Sequence, residues 1–378
     1  MTGFVPPPYP YDRLDRLVAV ADRLEGGVVD LSIGTPVDPA PPAVVAALST
    51  SGAERGYPSS IGTSALRDAA RRWMRRRFGV DIDPAAIGAC VGTKEFVGTL
   101  PQWMRLRQPD RDTVLYPAIA YPTYEMGAIL AGCRPVAVPA SPDGHLDLDA
   151  VDEGDIARAL LLWVNSPSNP TGALTDLGAA AAWGRARGVP VFSDECYVEF
   201  TWDGPGRTIL EHGDEGVIAV HSLSKRSNLA GGRVGFYAGD PALVQYLQEV
   251  RKHVGMMVPG PVQAAAVIAL DDDDHVEVQR KRYADRLHRL AAVLERWSGC
   301  TVTPPSGGFY LWFDVAGGTD DGADANAAGW AFAERLAEHG GAVVSPGELY
   351  GAVSGGHVRA AVVQPDERIE LVARRLGE

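Results

Sequence analysis

Residues 217–225 have the sequence Val-Ile-Ala-Val-His-Ser-Leu-Ser-Lys, in which a short apolar run ends in two hydroxyls and an amine. A lysine in this position lies at the edge of a predicted strand, where ligands of α/β proteins bind. Lys225 is one of four lysines in the chain, and Lys252 and Lys281 lie in charge-rich helical stretches typical of solvated faces. The Ser-x-x-Lys pattern alone is a weak signal, because a surface lysine after a strand explains it equally well.

Similar apolar runs occur on both sides of this stretch, at residues 113–116, 159–164, 189–192 and 234–238. Near-continuous apolar strands separated by helical patterns predict a mostly parallel sheet that is covered on both faces. Polar residues follow three of the runs, at Asn165, Asp194 and Ser222. Because ligands bind outside the carboxyl ends of the strands in such sheets, these three positions predict a single site.

The pattern of segments predicts a large α/β domain over residues 45–275 and a smaller α/β domain over 276–378. Residues 1–44 are rich in proline and predict an irregular, extended N-terminal arm that forms part of the small domain. A basic amphipathic helix is expected over residues 64–78. Four aspartates at 271–274 are interpreted as a solvated helix start, not as a metal site.

Composition excludes several classes of partner for this chain of 378 residues. Its net charge of −13 and pI near 5.1 disfavour nucleic acid. The sequence shows no apolar run of about 20 residues and no signal peptide at its N-terminus, so neither a membrane nor secretion is expected. The cysteines lack metal-type spacing and are expected to be buried thiols in a reducing cytoplasm. They lie at Cys90, Cys133, Cys196 and Cys300.

Two motifs follow predicted strands and have both an ordinary and a functional interpretation. The stretch 165–172, Asn-Ser-Pro-Ser-Asn-Pro-Thr-Gly, is rich in turn residues, but the Asn169 amide could also donate to a bound ring oxygen. Asp194 could cap a helix and Tyr197 could pack in the core. Alternatively, the Asp194 carboxylate could keep a ring nitrogen protonated while Tyr197, one turn later, reaches the neighbouring ring oxygen.

Three further positions carry candidate binding groups. The turn at Gly92, Thr93 and Lys94 begins a predicted helix, and a helix N-terminus suits a phosphate as well as a simple cap. Tyr121 lies in a proline-rich loop, where it could pack or stack on a flat cofactor. Arg359, in a late strand, could form a surface ion pair or clamp a substrate carboxylate bidentately.

The order of these motifs along the chain resembles that of fold-type I aminotransferases, which use pyridoxal 5'-phosphate (PLP) and belong to the aspartate aminotransferase superfamily. The resemblance covers essentially the whole chain and implies a mostly parallel sheet in a large domain, with a smaller α/β domain. More narrowly, residues 30–39, 116–124 and 221–231 resemble actinobacterial N-succinyldiaminopimelate aminotransferases.

The resemblance implies a catalytic set of Lys225, Asp194 and Tyr197. Lys225 would form the Schiff base with PLP and act as the general base, and Asp194 would bind the pyridine nitrogen. Asn169 and Tyr197 would bind the ring 3-oxygen, and Tyr121 would stack on the ring. The phosphate would be held by Gly92, Thr93, the Lys94 amide, Ser222 and Arg233.

The resemblance also implies how the substrate and a second subunit take part. Gly34, Asn169 and Arg359 would bind the substrate, with Gly34 and Arg359 receiving its α-carboxylate. Tyr57 would reach the cofactor phosphate of a neighbouring subunit, which implies a homodimer. No familiar motif marks a site for a distal carboxylate, and Lys94 is one candidate cation for it.

The expected reaction transfers an amino group between glutamate and N-succinyl-2-amino-6-oxopimelate in diaminopimelate and lysine biosynthesis. The motifs also fit an aminotransferase for aspartate or aromatic acids, or a PLP-dependent C–S lyase on the same fold. A regulator's ligand sensor is disfavoured, since the chain is acidic and the first 40 or so residues show no helix-turn-helix pattern.

Overall fold

The computed structural model describes residues 3–50, 52–140, 146–317 and 323–377. The chain divides into two compact units. The large unit comprises Thr35–Arg282 and Pro305–Gly308, and the small unit comprises Met1–Gly34, Tyr283–Pro304 and Phe309–Glu378. The domain limits inferred from the sequence remain predictions.

The α-helices are numbered in chain order. They are α1 Asp15–Ala21, α2 Pro42–Thr50, α3 Ser64–Phe78, α4 Thr93–Arg107, α5 Thr123–Leu130, α6 Glu153–Arg158, α7 Leu177–Arg187, α8 Leu223–Arg226, α9 Pro241–Val254, α10 Gly260–Asp271, α11 Asp274–Ser298, α12 Ala323–Gly340 and α13 Asp366–Arg375. The helix expected over 64–78 is therefore confirmed as α3. Its first turn is capped by Thr63, whose hydroxyl accepts a hydrogen bond from the Leu66 amide.

The strands are numbered in the same way. They are β1 Val29–Asp30, β2 Ile87–Cys90, β3 Thr113–Pro117, β4 Arg134–Val138, β5 Ala159–Asn165, β6 Val191–Asp194, β7 Val217–Ser222, β8 Gly235–Gly239, β9 Tyr310–Asp314, β10 Ala342–Val343, β11 Ser345–Pro346 and β12 His357–Ala361. Strands β2 and β4 were not among the predicted runs. They form the two ends of their sheet, where short strands and Pro135 are tolerated.

The large unit is built on a seven-stranded sheet in the order β2-β8-β7-β6-β5-β3-β4. The predicted mostly parallel sheet is confirmed, with one exception. Strand β8 runs antiparallel to both of its neighbours, β2 and β7. A parallel return requires a crossover, usually through a full helix, whereas α8 between β7 and β8 has four residues.

The register of the central strands aligns their carboxyl ends. Asn165 on β5 is the pairing partner of Asp194 on β6, and Asp194 is the partner of Val220 on β7. All residues of β5, β6 and β7 are buried, which explains why these strands are apolar except near their carboxyl ends. The predicted convergence of polar residues at one sheet edge is therefore present.

The small unit holds an antiparallel sheet in the order β11-β12-β9 and a parallel pair of β1 and β10. The N-terminal segment differs from the extended arm expected from the sequence, because Pro10–Leu14 forms a 3₁₀ helix that leads into α1. Leu14, Leu17 and Ala21 are spaced three and four residues apart and are buried together, which gives this short helix its apolar face.

Two aspartates of the acidic run at 271–274 pair with arginines, so the run is not merely solvated. Arg72 binds Asp271, with 2.7 Å between Nη2 and Oδ2, and Arg76 and Arg226 both bind Asp273.

Among the residues that the structure describes, no cluster of His, Cys, Asp and Glu could hold a metal ion. Within the same ranges, no helix is long and apolar enough to cross a membrane. The four cysteines are free thiols, and Cys300 is only partly buried, contrary to expectation.

Candidate active site

Asp194 lies at the carboxyl end of β6 with its carboxylate buried and oriented. The Tyr124 hydroxyl donates to Oδ2 at 2.8 Å, and the Cys196 amide donates to Oδ1 at 3.2 Å. Burial raises the pKa of the Asp194 carboxyl, while these hydrogen bonds and the charge of Lys225 oppose that rise. An ionised carboxylate has about four lone-pair sites, so two donors leave acceptor capacity for a ring N–H. A cationic ring nitrogen would offset the cost of burying this charge.

Lys225 lies in α8, immediately after the carboxyl end of β7. The Ser222 hydroxyl accepts from the Ser224 amide at 3.2 Å and so caps this short helix. The Lys225 side chain is half-buried, and its positive charge lowers the pKa of both Asp194 and Cys196 against the larger effect of burial. The structure therefore brings the predicted lysine and the predicted carboxylate into electrostatic contact.

The phosphate turn, which comprises Gly92, Thr93 and Lys94, forms the N-terminus of α4. Gly92 has a φ of 74°, and any side chain there would collide with the guanidinium of Arg233. Thr93 lies close to Gly235, the pairing partner of Ser222. The turn, Arg233 and Ser222 are thereby gathered around one helix N-terminus. The N–H groups of a helix N-terminus, two hydroxyls and a guanidinium together suit a phosphate group.

Asn169 is tied to the same strand edge through the side chain of Asn165. The Asn165 side chain donates to the Asp194 carbonyl at 2.7 Å and accepts from the Asn169 amide at 2.8 Å. Asn169 and Tyr197 are both buried. Asn165 therefore holds the Asn-Pro-Thr-Gly turn against β6, and so against Asp194.

Tyr121 lies in the loop before α5. Its ring meets that of Tyr124 edge-on, with 6.3 Å between centroids. The Nζ atom of Lys94 lies 5.9 Å from the Tyr121 centroid. Tyr121 is thus placed between a residue of the phosphate turn and the tyrosine that donates to Asp194.

Arg359 and Gly34 belong to the small unit, and the structure brings them together around one tyrosine. The buried Arg359 guanidinium lies over the rings of Tyr310 at 4.2 Å and Tyr350 at 4.7 Å, and it donates to the Ser32 carbonyl. Gly34 packs so closely on the Tyr310 hydroxyl that no side chain would fit there. Two aromatic faces hold the guanidinium in one orientation, which suits recognition of a carboxylate.

Tyr57 is separate from these groups. Its side chain is 99% exposed, unlike the buried or half-buried groups around Asp194.

Sequence reasoning missed two residues that support the site, Tyr124 and Cys196, and it placed Asn165 at the site without indicating its contacts. The Tyr-x-x-Tyr spacing of Tyr121 and Tyr124 indicates a shared helical turn, but it carries no sign of the contact with Asp194 across 70 residues. Cys196 binds Asp194 through its backbone and lies 3.2 Å from the Thr93 hydroxyl through Sγ. A backbone contact leaves no signature in residue type.

Comparison with known proteins identifies the family. The model of the aminotransferase class I and II family matches residues 26–376. The chain belongs to this family. It is a PLP-dependent aminotransferase of fold-type I, as the order of its motifs predicted. The donor set described above fits the cofactor, with a buried acid for the ring nitrogen and a helix N-terminus with Arg233 for the phosphate.

The relatives of this aminotransferase are named for different substrates. It is 42% identical to the 4-dedimethylamino-4-oxo-anhydrotetracycline transaminase OxyQ of Streptomyces rimosus, over 98% of this chain and 99% of that one. It is 33% identical to the LL-diaminopimelate aminotransferase of Aquifex aeolicus, over 98% and 96%. A solved structure of a probable N-succinyldiaminopimelate aminotransferase from Thermus thermophilus superposes with a TM-score of 0.85, at 31% identity over 97% and 98% of the two chains.

Proposed function

We propose that this aminotransferase transfers an amino group between glutamate and N-succinyl-2-amino-6-oxopimelate, and so acts in diaminopimelate and lysine biosynthesis. The observation that carries this proposal is full-length similarity to enzymes of the diaminopimelate skeleton, at 33% identity to the Aquifex enzyme and 31% to the Thermus protein. An acceptor of this type has an α-carboxylate and further carboxylates at a distance, so it requires more than one cationic group.

Lys225, Asp194 and Tyr197 are the proposed catalytic residues. When bound, PLP supplies an electron sink for the substrate carbon. Lys225 would hold the cofactor and, once released by substrate, would move the proton at the substrate Cα as general base. Asp194 would keep the ring nitrogen protonated, since its carboxylate is buried and already oriented by two donors. Asn169 and Tyr197 would orient the ring through its 3-oxygen.

The remaining predicted residues would bind phosphate and substrate. Gly92, Thr93, the Lys94 amide, Ser222 and Arg233 would hold the phosphate, and Tyr121 would stack on the ring. Arg359 and the Gly34 backbone would receive the α-carboxylate, with Arg359 already oriented by two tyrosine rings. The exposed Lys94 ammonium beside Tyr121 is the proposed partner for a distal carboxylate.

We also propose that the enzyme works as a homodimer in which Tyr57 reaches the neighbouring subunit's phosphate. The 99% exposure of the Tyr57 side chain supports this, because a phenol that binds a group of its own chain would be partly covered. Sedimentation should give a dimer, and Tyr57→Phe should weaken PLP retention. A fully active monomer would contradict this proposal.

A second candidate acceptor is a polycyclic ketone. The chain is 42% identical to OxyQ, whose acceptor is a 4-oxo-anhydrotetracycline, and this identity exceeds that to the diaminopimelate enzymes. A flat, fused ring system differs from an extended tricarboxylate in needing apolar area instead of cations. The two candidates therefore make opposite demands on Lys94.

The deciding experiment compares acceptors with glutamate as the common donor, by measuring 2-oxoglutarate formation. We expect kcat/KM to be highest for N-succinyl-2-amino-6-oxopimelate, above oxaloacetate and 4-dedimethylamino-4-oxo-anhydrotetracycline. Lys94→Met should lower kcat/KM for the succinylated acceptor more than for oxaloacetate. A higher kcat/KM for the tetracycline ketone would favour the second candidate, and a higher value for oxaloacetate would leave only general transamination. Borohydride should attach PLP to Lys225 in every case.

A further inference from the structure

Glu199 lies behind the candidate active site with its carboxylate buried against two helices, α3 and α8. Its Oε1 accepts from the indole of Trp73 at 2.8 Å and from Nε of Arg226 at 2.9 Å, and its Oε2 pairs with Arg77 at 2.7 Å. The Glu199 side chain is 5% exposed and that of Arg226 is 4% exposed. Charges so deeply buried are stable only when paired and fully hydrogen-bonded.

Arg226 meets this requirement in full. Besides Glu199, its guanidinium donates to the Ser227 hydroxyl, the Ala269 carbonyl, the Asp272 carbonyl and the Asp273 carboxylate. A guanidinium has five N–H groups in a rigid plane, so these five acceptors satisfy it completely. The plane of Arg226, and with it the backbone to which it is attached, is therefore held in one position.

The pair joins the two segments that carry the proposed catalytic residues. Glu199 lies in the 3₁₀ helix Val198–Phe200, which follows Tyr197 directly. Arg226 follows Lys225 directly and ends α8, a helix of four residues. So short a helix has little stability of its own and takes its position from the contacts of its side chains.

We infer that the Glu199–Arg226 pair is a positioning device that sets Lys225 relative to Asp194 and Tyr197. The inference rests on the proposed roles of those three residues. Neither Glu199 nor Arg226 needs to touch cofactor or substrate. The planar guanidinium of Arg226, which we call the fork, binds Glu199 and so fixes the segment after β7 relative to the segment after β6.

Both the planar guanidinium of Arg226 and the opposite charge of Glu199 belong to this device. A lysine at position 226 would keep the positive charge but offer three donors from a point, and it could not span acceptors on the 3₁₀ helix and after α10 together. Arg226→Lys therefore separates charge from geometry. Glu199→Gln is the complementary change, because it keeps the shape and removes the charge.

The experiment measures kcat, KM and the visible circular dichroism of the PLP-loaded enzyme, normalised to its absorbance. The circular dichroism reports how the bound ring is held, independently of turnover. For Arg226→Lys and Glu199→Gln we expect kcat to fall on the order of 10- to 100-fold, as for a reacting group displaced by about 1 Å. KM should stay within about twofold, because substrate binding groups are untouched. The circular dichroism should change in both variants.

Arg77→Ala is the matched control. Arg77 binds the same Glu199 carboxylate, but it lies on α3, which carries none of the proposed site residues. This variant should lose thermal stability like the other two while keeping kcat and the circular dichroism of the wild type. Equal losses of kcat in Arg77→Ala and Arg226→Lys would overturn the inference, as would unchanged kcat and circular dichroism in both pair variants.

Two further outcomes are also decisive. If both pair variants fail to fold while Arg77→Ala folds, the pair serves stability alone and the inference is wrong. If borohydride attaches PLP to a residue other than Lys225 in the wild type, the proposed function of Lys225 is wrong instead. The two failures are thus distinguished by the trapping reaction.

Discussion

The phosphate turn and the lysine turn, the latter comprising Ser222 to Lys225, are each backed by a glutamate–arginine pair, but the two pairs are built differently. Behind the phosphate turn, Arg251 donates to both carboxylate oxygens of Glu95, from Nη1 to Oε1 at 2.8 Å and from Nη2 to Oε2 at 2.7 Å. Glu95 also accepts a hydrogen bond from the Val91 amide. All the acceptor groups here belong to the first turn of α4 and the residues around it. Behind the lysine turn, Glu199 and Arg226 also bind groups on α3, in α10 and after α10.

This difference teaches that the two sides of the site have different structural requirements. A phosphate needs a single well-formed helix N-terminus, which one local clamp can hold. Moving a proton between a lysine and a substrate carbon needs several groups held within about 0.5 Å of their productive positions, which a network across segments can provide. We therefore expect damage on the phosphate side to lower cofactor retention, and damage on the lysine side to lower kcat.

The largest effect is expected for Asp194→Asn, on the lysine side. The amide keeps the shape of the carboxylate but removes the charge that would hold the ring nitrogen protonated. We expect kcat to fall on the order of 10³-fold, while PLP affinity changes far less. Steady-state kinetics and equilibrium dialysis of PLP measure the two effects separately. Near-normal turnover would refute the role of Asp194 and remove the contrast between the two sides.

A smaller effect is expected for Arg251→Met, on the phosphate side. Methionine keeps much of the packing on Phe96 and Tyr237, but Glu95 is left as an uncompensated anion at the helix end that would bind phosphate. We expect the Kd for PLP to rise about tenfold, with kcat at saturating PLP within about twofold of the wild type. Arg71→Ala, which breaks the exposed Arg71–Asp81 pair, is the control and should change neither quantity. A loss of kcat at unchanged Kd would break the comparison.

The smallest effect concerns pH and the buried pair of Glu195 and His221, whose Oε2 and Nε2 atoms lie 3.4 Å apart. Burial raises the pKa of Glu195 to about 8 and lowers the pKa of His221 to about 3. Stability due to Glu195 is lost as the pH rises from about 4.5 to about 8, whereas stability due to His221 is lost as the pH falls from about 6.5 to about 3. Of these two groups, only Glu195 changes the stability of the protein between pH 6.5 and 8.

We therefore expect the Tm of the wild type to fall as the pH rises from 6.5 to 8, and Glu195→Gln to flatten that slope. Calorimetry at several pH values measures both curves. A slope that persists in Glu195→Gln would show that another group titrates in this window. The same measurement tests whether the Glu195 carboxyl, next to Asp194 on the lysine side of the site, is uncharged in the folded protein.

Much of the fold could be predicted because its signals are local. The apolar runs of β5, β6 and β7 are buried throughout, so hydrophobicity alone indicated them. Strand β2 escaped notice because four residues with a glycine carry little pattern. The antiparallel direction of β8 depends on the length of the preceding connection, which the composition of the strand does not encode.

The sequence by itself determined the family, the cofactor and the chemical groups available, because residue types at strand ends and their order are properties of the chain. Only the tertiary structure decided which of these groups support each other. Tyr124 meets Asp194, Arg251 meets Glu95 and Arg226 meets Glu199 across 70, 156 and 27 residues. Contacts at such separations arise from packing of the whole unit, and neither spacing nor local propensity specifies them.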